Sequence, residues 1–527
     1  MSLRFELTPP TAPADHRRAD IACFIGHVAR RPGVPLPAAL REQLAAAGWV
    51  HGVWARPAAQ LETLDNLPVV LDGWDQFDTL FAWEGRPVEA DGRRRCATYL
   101  GAALRSFFAH GGRRAIVIRV GDPWPLLEDA AVRTAQRRPR LRRLLPDYAR
   151  LEAPITPFAP GDPATWQGIQ HLYGRREASL VLLPDLADAC AVAPPVPAPA
   201  PLPPVPPEGF TECSVDEAPE PDTSLADIPP PRLDQGGYAA WRVAIEAARH
   251  FLDRQMGPRE TMLVTSLPLP HVTASRIEGG GRVYAQADTL AWLERMGVLA
   301  GALAGDRPAE ALVQLAWPWL ALRAGGDLPA GLEPPEGTLA GLIAASAVER
   351  GCHRSVAGEF SRPRLRDLVR AEPMPAWDLA EDAPDARLAR RVCLFAPQPD
   401  GWALQSDVTT LAAGACRFGG AGRLLGNLLR ACRVAGESVV FEPNGERTWA
   451  QLAATLNDVL FAYWRAGAFS GASPAEAWSL RCDGMTRNDL DSGRLIVHLT
   501  VWPAMSIERI TVVLTLGSGA DGLREAA

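Results

Sequence analysis

Nine histidines are the side chains of this sequence best suited to acid–base catalysis or metal binding near neutral pH. None of them stands in an HExxH zinc motif, and no serine stands in the GxSxG turn of an α/β hydrolase. His498 falls inside the apolar run RLIVHLTVW, where a packed or surface role is expected. The sequence therefore contains no recognisable set of residues for nucleophilic or metal-assisted catalysis.

A glycine run offers a second chemical interpretation. Gly420, Gly422 and Gly426 could form a phosphate-binding loop, but their spacing differs from the dinucleotide fingerprint and no P-loop lysine follows. A loop leading into a closely packed helix explains these glycines. The nine cysteines are scattered without a CxxC pair, which favours buried reduced thiols over disulfides or a zinc site. No cofactor and no metal are predicted.

Composition limits the classes of protein that fit. The chain has 527 residues, of which 47% are hydrophobic, which predicts two or three globular domains with substantial cores. A net charge of -7 gives no general attraction to nucleic acid or to an anionic membrane. No apolar run reaches the roughly 18 residues that span a bilayer, and the N-terminus has no signal-peptide core. We expect synthesis in the cytoplasm, with neither nucleic acid nor membrane as a partner.

The order of elements predicts a parallel α/β layer. A buried strand, IACFIGHV, begins at Ile21, and a helix lined by Tyr99, Leu104 and Phe107 ends at Gly111-Gly112 before the strand RAIVIRV. Between them, Asp72 or Asp75 is predicted to cap a short helix. The same alternation of helix and strand resumes at residue 236 and includes the predicted strand ALVQLAWPWLAL.

Two segments depart from this pattern. Residues 131–150 carry seven arginines, and a solvated helix face is preferred over a phosphate-binding or acidic-protein-binding surface because aromatic residues are few. Residues 191–235 are rich in proline and acidic residues, so they are predicted to form an extended or disordered surface insertion. That insertion is read as a spacer, with a proline-recognition ligand as the alternative.

The C-terminal region begins with a long amphipathic helix. Leu452, Leu456 and Leu460 recur at helical spacing, with Asn444 as the predicted N-cap. A capping box is predicted at Ser473 to Glu476, and two strand-like runs, RLIVHLTVW and IERITVVLTL, follow. This region therefore predicts a helix, a short helical turn and a small antiparallel sheet.

The same region carries a family resemblance. The matching residues are, in order, Phe441-Glu442-Pro443-Asn444, Trp464 to Ala468, Gly471 to Ala477, Arg481-Cys482-Asp483 and Asp491 to Leu495. This series resembles the C-terminal domain of contractile tail sheath proteins of phages, R-type pyocins and related injection systems. Farther upstream, Trp317-Pro318-Trp319 and Glu349-Arg350-Gly351 are similar to a sheath pattern, whereas Arg354 to Glu359 departs from the family's lysine-containing loop.

The resemblance implies a fold class and a domain plan. The expected fold is an α/β chain with a subtilisin-like central domain that contains insertions, followed by an α+β C-terminal domain whose small sheet is completed by exchanged terminal arms. The predicted segments are an N-terminal arm (1–18), two parts of the α/β region (19–190 and 236–414) separated by the proline-rich insertion (191–235), a C-terminal core domain (415–504) and a C-terminal arm (505–527).

The resemblance also implies which residues touch other subunits. In the sheath family the terminal arms add strands to a neighbour's sheet. The implied arm residues are Leu3, Phe5 and Leu7 at one end and Ile510, Val512, Leu514 and Leu516 at the other. The implied receiving sheet contains Leu495, Val497, Leu499 and Val501, although residues 507–516 could instead complete their own domain's sheet. Candidates on the helix facing the inner tube are Arg447, Gln451, Asn457 and Arg465.

The function implied is structural. A sheath subunit would polymerise head to tail as a helical tube around an inner tube and would contract to drive that tube through a target envelope. The implied partners are further copies of the chain, the inner tube protein, the baseplate and a tail terminator. The particle would be a phage tail or a phage tail-like particle that is released from the cell. The alternative is an α/β hydrolase-type enzyme on a subtilisin-like scaffold.

Overall fold

The computed structural model describes most of the chain as two compact units. The first unit ends at Pro443 and the second begins at Asn444. The described residues are 18–148, 159–194, 224–253, 258–271, 311–323, 325–372, 384–482, 486–487, 494–504, 513–515 and 524–526. The domain boundaries inferred from the sequence stay a prediction.

Twenty strands lie in the described residues. They are Ile21–Gly26 (β1), Ala29–Arg30 (β2), Pro68–Leu71 (β3), Phe81–Ala82 (β4), Arg86–Pro87 (β5), Arg95–Cys96 (β6), Arg114–Arg119 (β7), Leu180–Leu182 (β8), Arg232–Leu233 (β9), Met262–Ser266 (β10), Leu269–Pro270 (β11), Val313–Trp317 (β12), Trp319–Leu322 (β13), Leu368–Glu372 (β14), Cys393–Gln398 (β15), Gly401–Leu404 (β16), Trp478–Arg481 (β17), His498–Val501 (β18), Val513–Thr515 (β19) and Arg524–Ala526 (β20).

The described part of the chain also contains thirteen α-helices. They are Ala38–Ala46 (α1), Ala58–Thr63 (α2), Trp74–Leu80 (α3), Tyr99–Ala109 (α4), Ala130–Leu144 (α5), Leu186–Cys190 (α6), Ser224–Asp227 (α7), Gln235–Asp253 (α8), Glu336–Glu349 (α9), Pro384–Ala389 (α10), Gly419–Glu437 (α11), Glu446–Arg465 (α12) and Pro474–Ala477 (α13). Across the ranges given above, no helix is both long and apolar enough to cross a bilayer.

An eight-stranded sheet forms the centre of the first unit, in the order β16-β15-β12-β10-β8-β1-β7-β3. The six strands from β15 to β7 run parallel, and β16 and β3 add antiparallel edges. Every residue of β1, β8, β10 and β12 is buried, as expected where both faces of a parallel sheet are covered. The predicted parallel α/β layer is confirmed.

Two helices pack unusually closely on one face of this sheet. On α9, a Cβ at Gly337 would overlap the carbonyl oxygen of Ala103 on α4, and a Cβ at Gly341 would lie 2.7 Å from the carbonyl oxygen of Phe107. Glycine permits this approach because it has no side chain. The α4–α9 pair covers the middle of the sheet, with Leu104 and Leu342 fully buried.

Some local predictions are wrong in detail. Neither Asp72 nor Asp75 caps α3: its N-cap is Gly73, and the backbone N–H of Asp72 is bound instead by the side chain of Gln76. The predicted strand ALVQLAWPWLAL is interrupted at Pro318, after which β13 leaves the main sheet and pairs antiparallel with β14. Tertiary pairing decides where such a long apolar run divides.

The second unit is built around α12 and a small sheet that consists of β17 and β18. Leu452, Leu456, Val459 and Leu460 are buried along one side of α12, which confirms the predicted apolar stripe. Trp478 packs beside Phe469 with 6.1 Å between ring centroids. These contacts bury the inner face of the small sheet against the helix.

The helix starts in this unit differ from those predicted. The N-cap of α12 is Gly445, and the predicted cap Asn444 instead accepts a 2.7 Å hydrogen bond from the indole N–H of Trp449. Ser473 is the N-cap of α13 but makes no side-chain cap bond, because its hydroxyl donates to Glu476 at 3.2 Å. A capping box therefore does not form at Ser473.

Glycine packing between α4 and α9 gives a direct test of this fold. Gly337→Ala would place a methyl group against the Ala103 carbonyl, and we expect the free energy of unfolding to fall by about 2 kcal/mol. The matched control is Gly436→Ala on α11, where a Cβ would meet nothing within 4 Å, so stability should rise by about 0.5–1 kcal/mol. Equal effects of the two substitutions in chemical denaturation would contradict the close helix packing.

Candidate functional site

Three buried side chains lie in the crevice where an α/β enzyme would bind its ligand. The chain places β7 on one side of β1 and β8 on the other, so the order of strands reverses between β1 and β8. The carboxyl ends of these two strands form the topological switch point, where open α/β sheets bind ligands. There the carboxylate of Asp185 accepts a 2.5 Å hydrogen bond from the backbone N–H of His27. The imidazole of His27 packs edge-on against Trp124 at 5.0 Å. All three side chains are buried.

A buried ion-pair cluster lies close to this crevice. Asp188 forms salt bridges of 2.7 Å with Arg86 and 2.8 Å with Arg133, and all three side chains are at most 3% exposed. Burial alone would raise the pKa of the Asp188 carboxyl, but the two guanidinium groups outweigh burial and lower it. Arg86 also bonds the Trp124 carbonyl oxygen at 3.0 Å. The cluster ties β5, α5 and α6 together.

This cluster corrects the expectation of a solvated arginine face on α5. Arg133 and Arg140 are buried, and Arg140 forms a 2.6 Å salt bridge with Glu128 while stacking 4.2 Å from the Trp124 ring centroid. Arg138 and Arg143 do lie on the exposed side of the helix. The prediction is therefore wrong for the two arginines that face the body, because buried carboxylates supply their counter-charges.

The described residues give the hydrolase alternative no support at the switch point. His27 is the histidine nearest the switch point, but neither of its ring nitrogens has a hydrogen-bond partner in that part of the chain. A serine nucleophile would have to lie within hydrogen-bond distance of such a base. The described residues also contain no group of three His, Cys, Asp or Glu side chains that could hold a metal ion.

Two buried glutamates lie near the same end of the sheet. Burial raises the pKa of Glu336 to about 8, although hydrogen bonds from Ser266 offset part of the rise and Asp185 adds to it. Burial likewise raises the pKa of Glu333 to about 7, opposed by its bond with Ser106. One carboxyl oxygen of Glu336 has no partner among the described residues. At neutral pH Glu336 is therefore mostly protonated and Glu333 is about half protonated, and the described residues place no nucleophile–base pair beside them.

The glycine run does not form a phosphate loop. Gly420, Gly422 and Gly426 all lie within α11. A Cβ at Gly420 would overlap the carbonyl oxygen of His353, and one at Gly426 would lie 2.8 Å from that of Glu260. The expectation of a closely packed helix is confirmed.

Two arginines of α11 fix it to the sheet. Arg423 binds both carboxylate oxygens of Asp407, at 2.9 and 2.7 Å. Arg430 donates to the carbonyl oxygens of Arg176 and Ala178, which lie just before β8. Because both guanidinium groups are buried with several partners each, α11 has a single defined register on the body.

The small sheet of the second unit contains a strand that the sequence analysis missed. Trp478–Arg481 (β17) pairs antiparallel with His498–Val501 (β18), with Trp478 opposite Val501 and Leu480 opposite Leu499. The alternation of Trp478 and Leu480 with polar Ser479 and Arg481 is the signal that could have found it. The family motif around Ser473 predicts only a helix start in this region.

Both outer edges of this two-stranded sheet are open in the described residues. The N–H of Trp502 donates to the carbonyl oxygen of Ala477, which makes these two residues a hydrogen-bonded pair. In an antiparallel ladder, hydrogen-bonded and non-hydrogen-bonded pairs alternate along the strand. The backbone N–H and C=O groups of Leu499 and Val501 therefore point away from β17. Their side chains are half-buried. An edge with free backbone groups and apolar side chains can accept another strand.

The predicted receiving residues are thus only partly in a strand. Leu499 and Val501 lie in β18, whereas Leu495 and Val497 precede it in irregular structure. Among the predicted arm residues, Leu3, Phe5, Leu7, Ile510, Val512 and Leu516 lie outside the described residues. Leu514 lies in β19, which pairs antiparallel with β20 of the same chain. Their roles in strand exchange stay a prediction.

The outward side of α12 carries three of the four residues predicted to face an inner tube. Arg447, Gln451 and Arg465 are exposed and share one helix face. Asn457 is turned toward the small sheet, where its side-chain oxygen accepts a 2.9 Å hydrogen bond from the indole N–H of Trp478. The structure therefore groups three of these side chains and gives Asn457 a bond within its own unit.

Neither a model of a known protein family nor any curated protein sequence matches the chain. Three solved structures are similar over 98% of this chain and 98% of theirs. They are chains of the anti-feeding prophage baseplate in its contracted state (TM-score 0.56, 17% identity), the six-fold symmetrised baseplate (0.53, 15%) and the helical sheath in its contracted state (0.51, 15%). At this identity the similarity establishes the fold, and the expected mixed α/β fold with a large sheet is confirmed. The subtilisin-like character of the central domain and the exchange of terminal arms stay predictions.

Glu336 predicts a specific pH dependence of stability. Because folding raises its pKa from 4.5 to about 8, the protonated form is favoured in the folded state, and stability is lost as pH rises from 4.5 through 8. The unmodified protein should therefore lose about 3 kcal/mol of unfolding free energy between pH 4.5 and pH 7 through this group. Glu336→Gln should remove this loss, so its free energy of unfolding relative to the unmodified protein should be about 3 kcal/mol higher at pH 7 than at pH 4.5. Denaturant titrations at both pH values measure this difference. The exposed control Glu246→Gln should show none, and an equal effect of Glu336→Gln at both pH values would point to packing instead.

Proposed function

We propose that this chain is the structural subunit of a contractile sheath, which polymerises as a helical tube around an inner tube and contracts to drive that tube through a target envelope. The observation that carries the proposal is the extent of the structural similarity. Both units take part, since 98% of this chain aligns with a chain of the contracted anti-feeding prophage sheath. A shared α/β domain alone would align over only part of the chain.

The chemistry of the first unit favours a structural role. Asp185, His27 and Trp124 occupy the switch-point crevice, and Asp188 satisfies two buried arginines beside it. Polar groups that are engaged in such contacts stabilise the fold. We assign this unit a subtilisin-like backbone topology without protease chemistry, since a fold does not transmit its relatives' reactions.

Strand addition is the proposed contact between copies. The outward N–H and C=O groups of Leu499 and Val501 provide a row of backbone bonds, and bonds to an extended segment tolerate rotation of the bodies that they join. The terminal arms around Phe5 and Leu514 are the proposed donors. A head-to-tail contact of this kind does not close, so it generates a helical filament.

The second proposed contact is with the inner tube. The candidates for it lie on the outward face of α12 and are Arg447, Gln451 and Arg465. Asn457 is not among them, because its side chain accepts a hydrogen bond from Trp478. The baseplate and a tail terminator would hold the ends of the tube. We propose synthesis in the bacterial cytoplasm, followed by assembly into a phage tail or a phage tail-like particle.

Assembly itself can be tested on the purified protein. Negative-stain electron microscopy should show tubes or striated sheaths, alone or after addition of the inner tube protein from the same gene neighbourhood. Discrete particles under every condition, together with hydrolytic activity, would favour the enzyme alternative. A variant lacking residues 1–18 should remain folded but form no tubes.

The open edge of β18 gives a sharper prediction. Leu499→Pro removes an N–H that points away from β17, so it should leave the β17–β18 pair intact but prevent strand addition. Leu499→Ala is the matched control, since it keeps that N–H and shortens the same side chain. We expect tubes from the alanine variant and none from the proline variant, with similar thermal unfolding of the unassembled proteins. Tubes from both variants would remove β18 as the receiving edge.

A further inference from the structure

A group of arginines on the first unit lacks enough local carboxylates. We call it the arginine patch, and it consists of Arg350, Arg354, Arg362, Arg364, Arg366 and Arg370. Between residues 349 and 372 the sequence has these six arginines and four carboxylates, Glu349, Glu359, Asp367 and Glu372. Two of the four also pair with cations outside the patch, Asp367 with His110 and Glu372 with Arg232. Arg354 lies in the segment from Arg354 to Glu359, where the sequence departs from the sheath family's loop pattern. It is therefore a feature of this chain that the proposed sheath function does not explain.

An aromatic ring holds two of these cations in place. The guanidinium groups of Arg350 and Arg364 lie 3.6 and 3.9 Å from the centroid of the Phe360 ring. Arg364 also donates to the Phe360 carbonyl oxygen at 3.1 Å and binds Glu349. Stacking on an aromatic face fixes the planes of guanidinium groups, so their free N–H groups are pre-organised for planar anions such as carboxylates.

The positive charge around this clamp is not fully compensated. Arg354 and Arg366 are exposed, and their side chains form no ion pair or hydrogen bond with any other described residue. Burial lowers the pKa of Arg350, and the neighbouring charges of Arg364 and Arg354 lower it further. Like charges held this close favour binding of an anionic group that screens them.

The chain carries matching anionic chemistry in one stretch of its sequence. No arginine or lysine occurs between Cys190 and Arg232, whereas seven carboxylates do: Glu208, Glu212, Asp216, Glu217, Glu220, Asp222 and Asp227. This number equals the net charge of the whole chain, -7, so the remainder of the chain is electrically balanced. Residues 195–223 of this stretch lie outside the described residues.

The described structure places one end of this stretch near Arg370, a member of the patch. Helix α7, which begins at Ser224, packs against the turn Pro329–Gly331. The guanidinium group of Arg370 donates to the carbonyl oxygen of Ala330 in that same turn. An extended chain spans about 3.4 Å per residue, so the carboxylates from Glu217 to Asp222 lie within about 25 Å of Ser224 along the chain. Such a short tether gives a high effective concentration.

We propose that the arginine patch is an intramolecular binding surface for the acidic segment from Glu208 to Asp222 of the same chain. The carboxylates bind the free guanidinium groups of Arg354 and Arg366 and the N–H groups of Arg362 that remain outside its 3.0 Å salt bridge with Glu359. Charge complementarity selects the occupant, and the anchor at Ser224 favours the segment of the same chain over that of another copy. This proposal does not depend on the sheath function.

Cleavage of the full-length, unassembled protein by a glutamate-specific protease tests this contact. Cleavage after Glu208 and Glu212, identified by fragment mass, should be about fivefold slower at about 20 mM than at about 500 mM salt, because salt screens the ion pairs. The patch variant carries Arg354→Gln, Arg362→Gln and Arg366→Gln. It should be cleaved as fast at low salt as at high salt.

Two further variants make the result specific. The control variant carries Arg41→Gln, Arg93→Gln and Arg113→Gln, which change the net charge equally at exposed sites elsewhere, and it should behave as the unmodified protein. The carboxylate variant, Asp216→Asn, Glu217→Gln and Asp222→Asn, keeps both cleavage sites and should also lose the salt effect. It provides the test independently if the patch variant does not fold, and combining it with the patch variant should add nothing.

Three outcomes would overturn the proposal. The first is cleavage that does not depend on salt in the unmodified protein. The second is a patch variant that behaves as the control variant does. The third is protection that increases with protein concentration, because that would identify the segment of a second copy as the occupant.

Discussion

One buried carboxylate, Asp188, organises the crevice end of the first unit. An isolated charge at this depth would be costly, and so would each of the guanidinium groups of Arg86 and Arg133. Together they satisfy one another, and they fix α6, β5 and α5 in one arrangement. Removing one member would leave its partners charged and buried, so the three elements are interdependent.

This arrangement also determines what the α/β unit can do. The carboxyl ends of β1 and β8 form the place where related architectures bind ligands, and here Asp185 and Trp124 lie in it. Arginine is suited to such a dense polar interior because its planar group forms several bonds and stacks on aromatic rings. The same properties appear at the surface, where Arg350 and Arg364 enclose Phe360.

The eight-stranded sheet and the β17–β18 sheet differ in whether an edge strand can bind a further strand. On the large sheet, edge strand β3 begins with Pro68, which has no N–H to offer another strand. On the small sheet, β18 directs the N–H and C=O groups of Leu499 and Val501 outward. A two-stranded sheet is marginal by itself, so its packing against α12 stabilises it, and the proposed addition of strands would stabilise it further. In the proposed sheath, this contrast would make the second unit the one that accepts strands from other copies.

The sequence alone determined the features that depend on local periodicity. The buried strands at Ile21 and Arg114, the stripe of Leu452, Leu456 and Leu460, and the order of α/β elements follow from apolar spacing, and a family motif indicated the fold. Only the tertiary structure decided which polar groups meet. Arg133 and Asp188 are 55 residues apart, and β17 gains its partner from beyond a long connection. Spacing along the chain specifies which face a side chain occupies, whereas its partner across the fold is set by packing and by the need to satisfy buried charge.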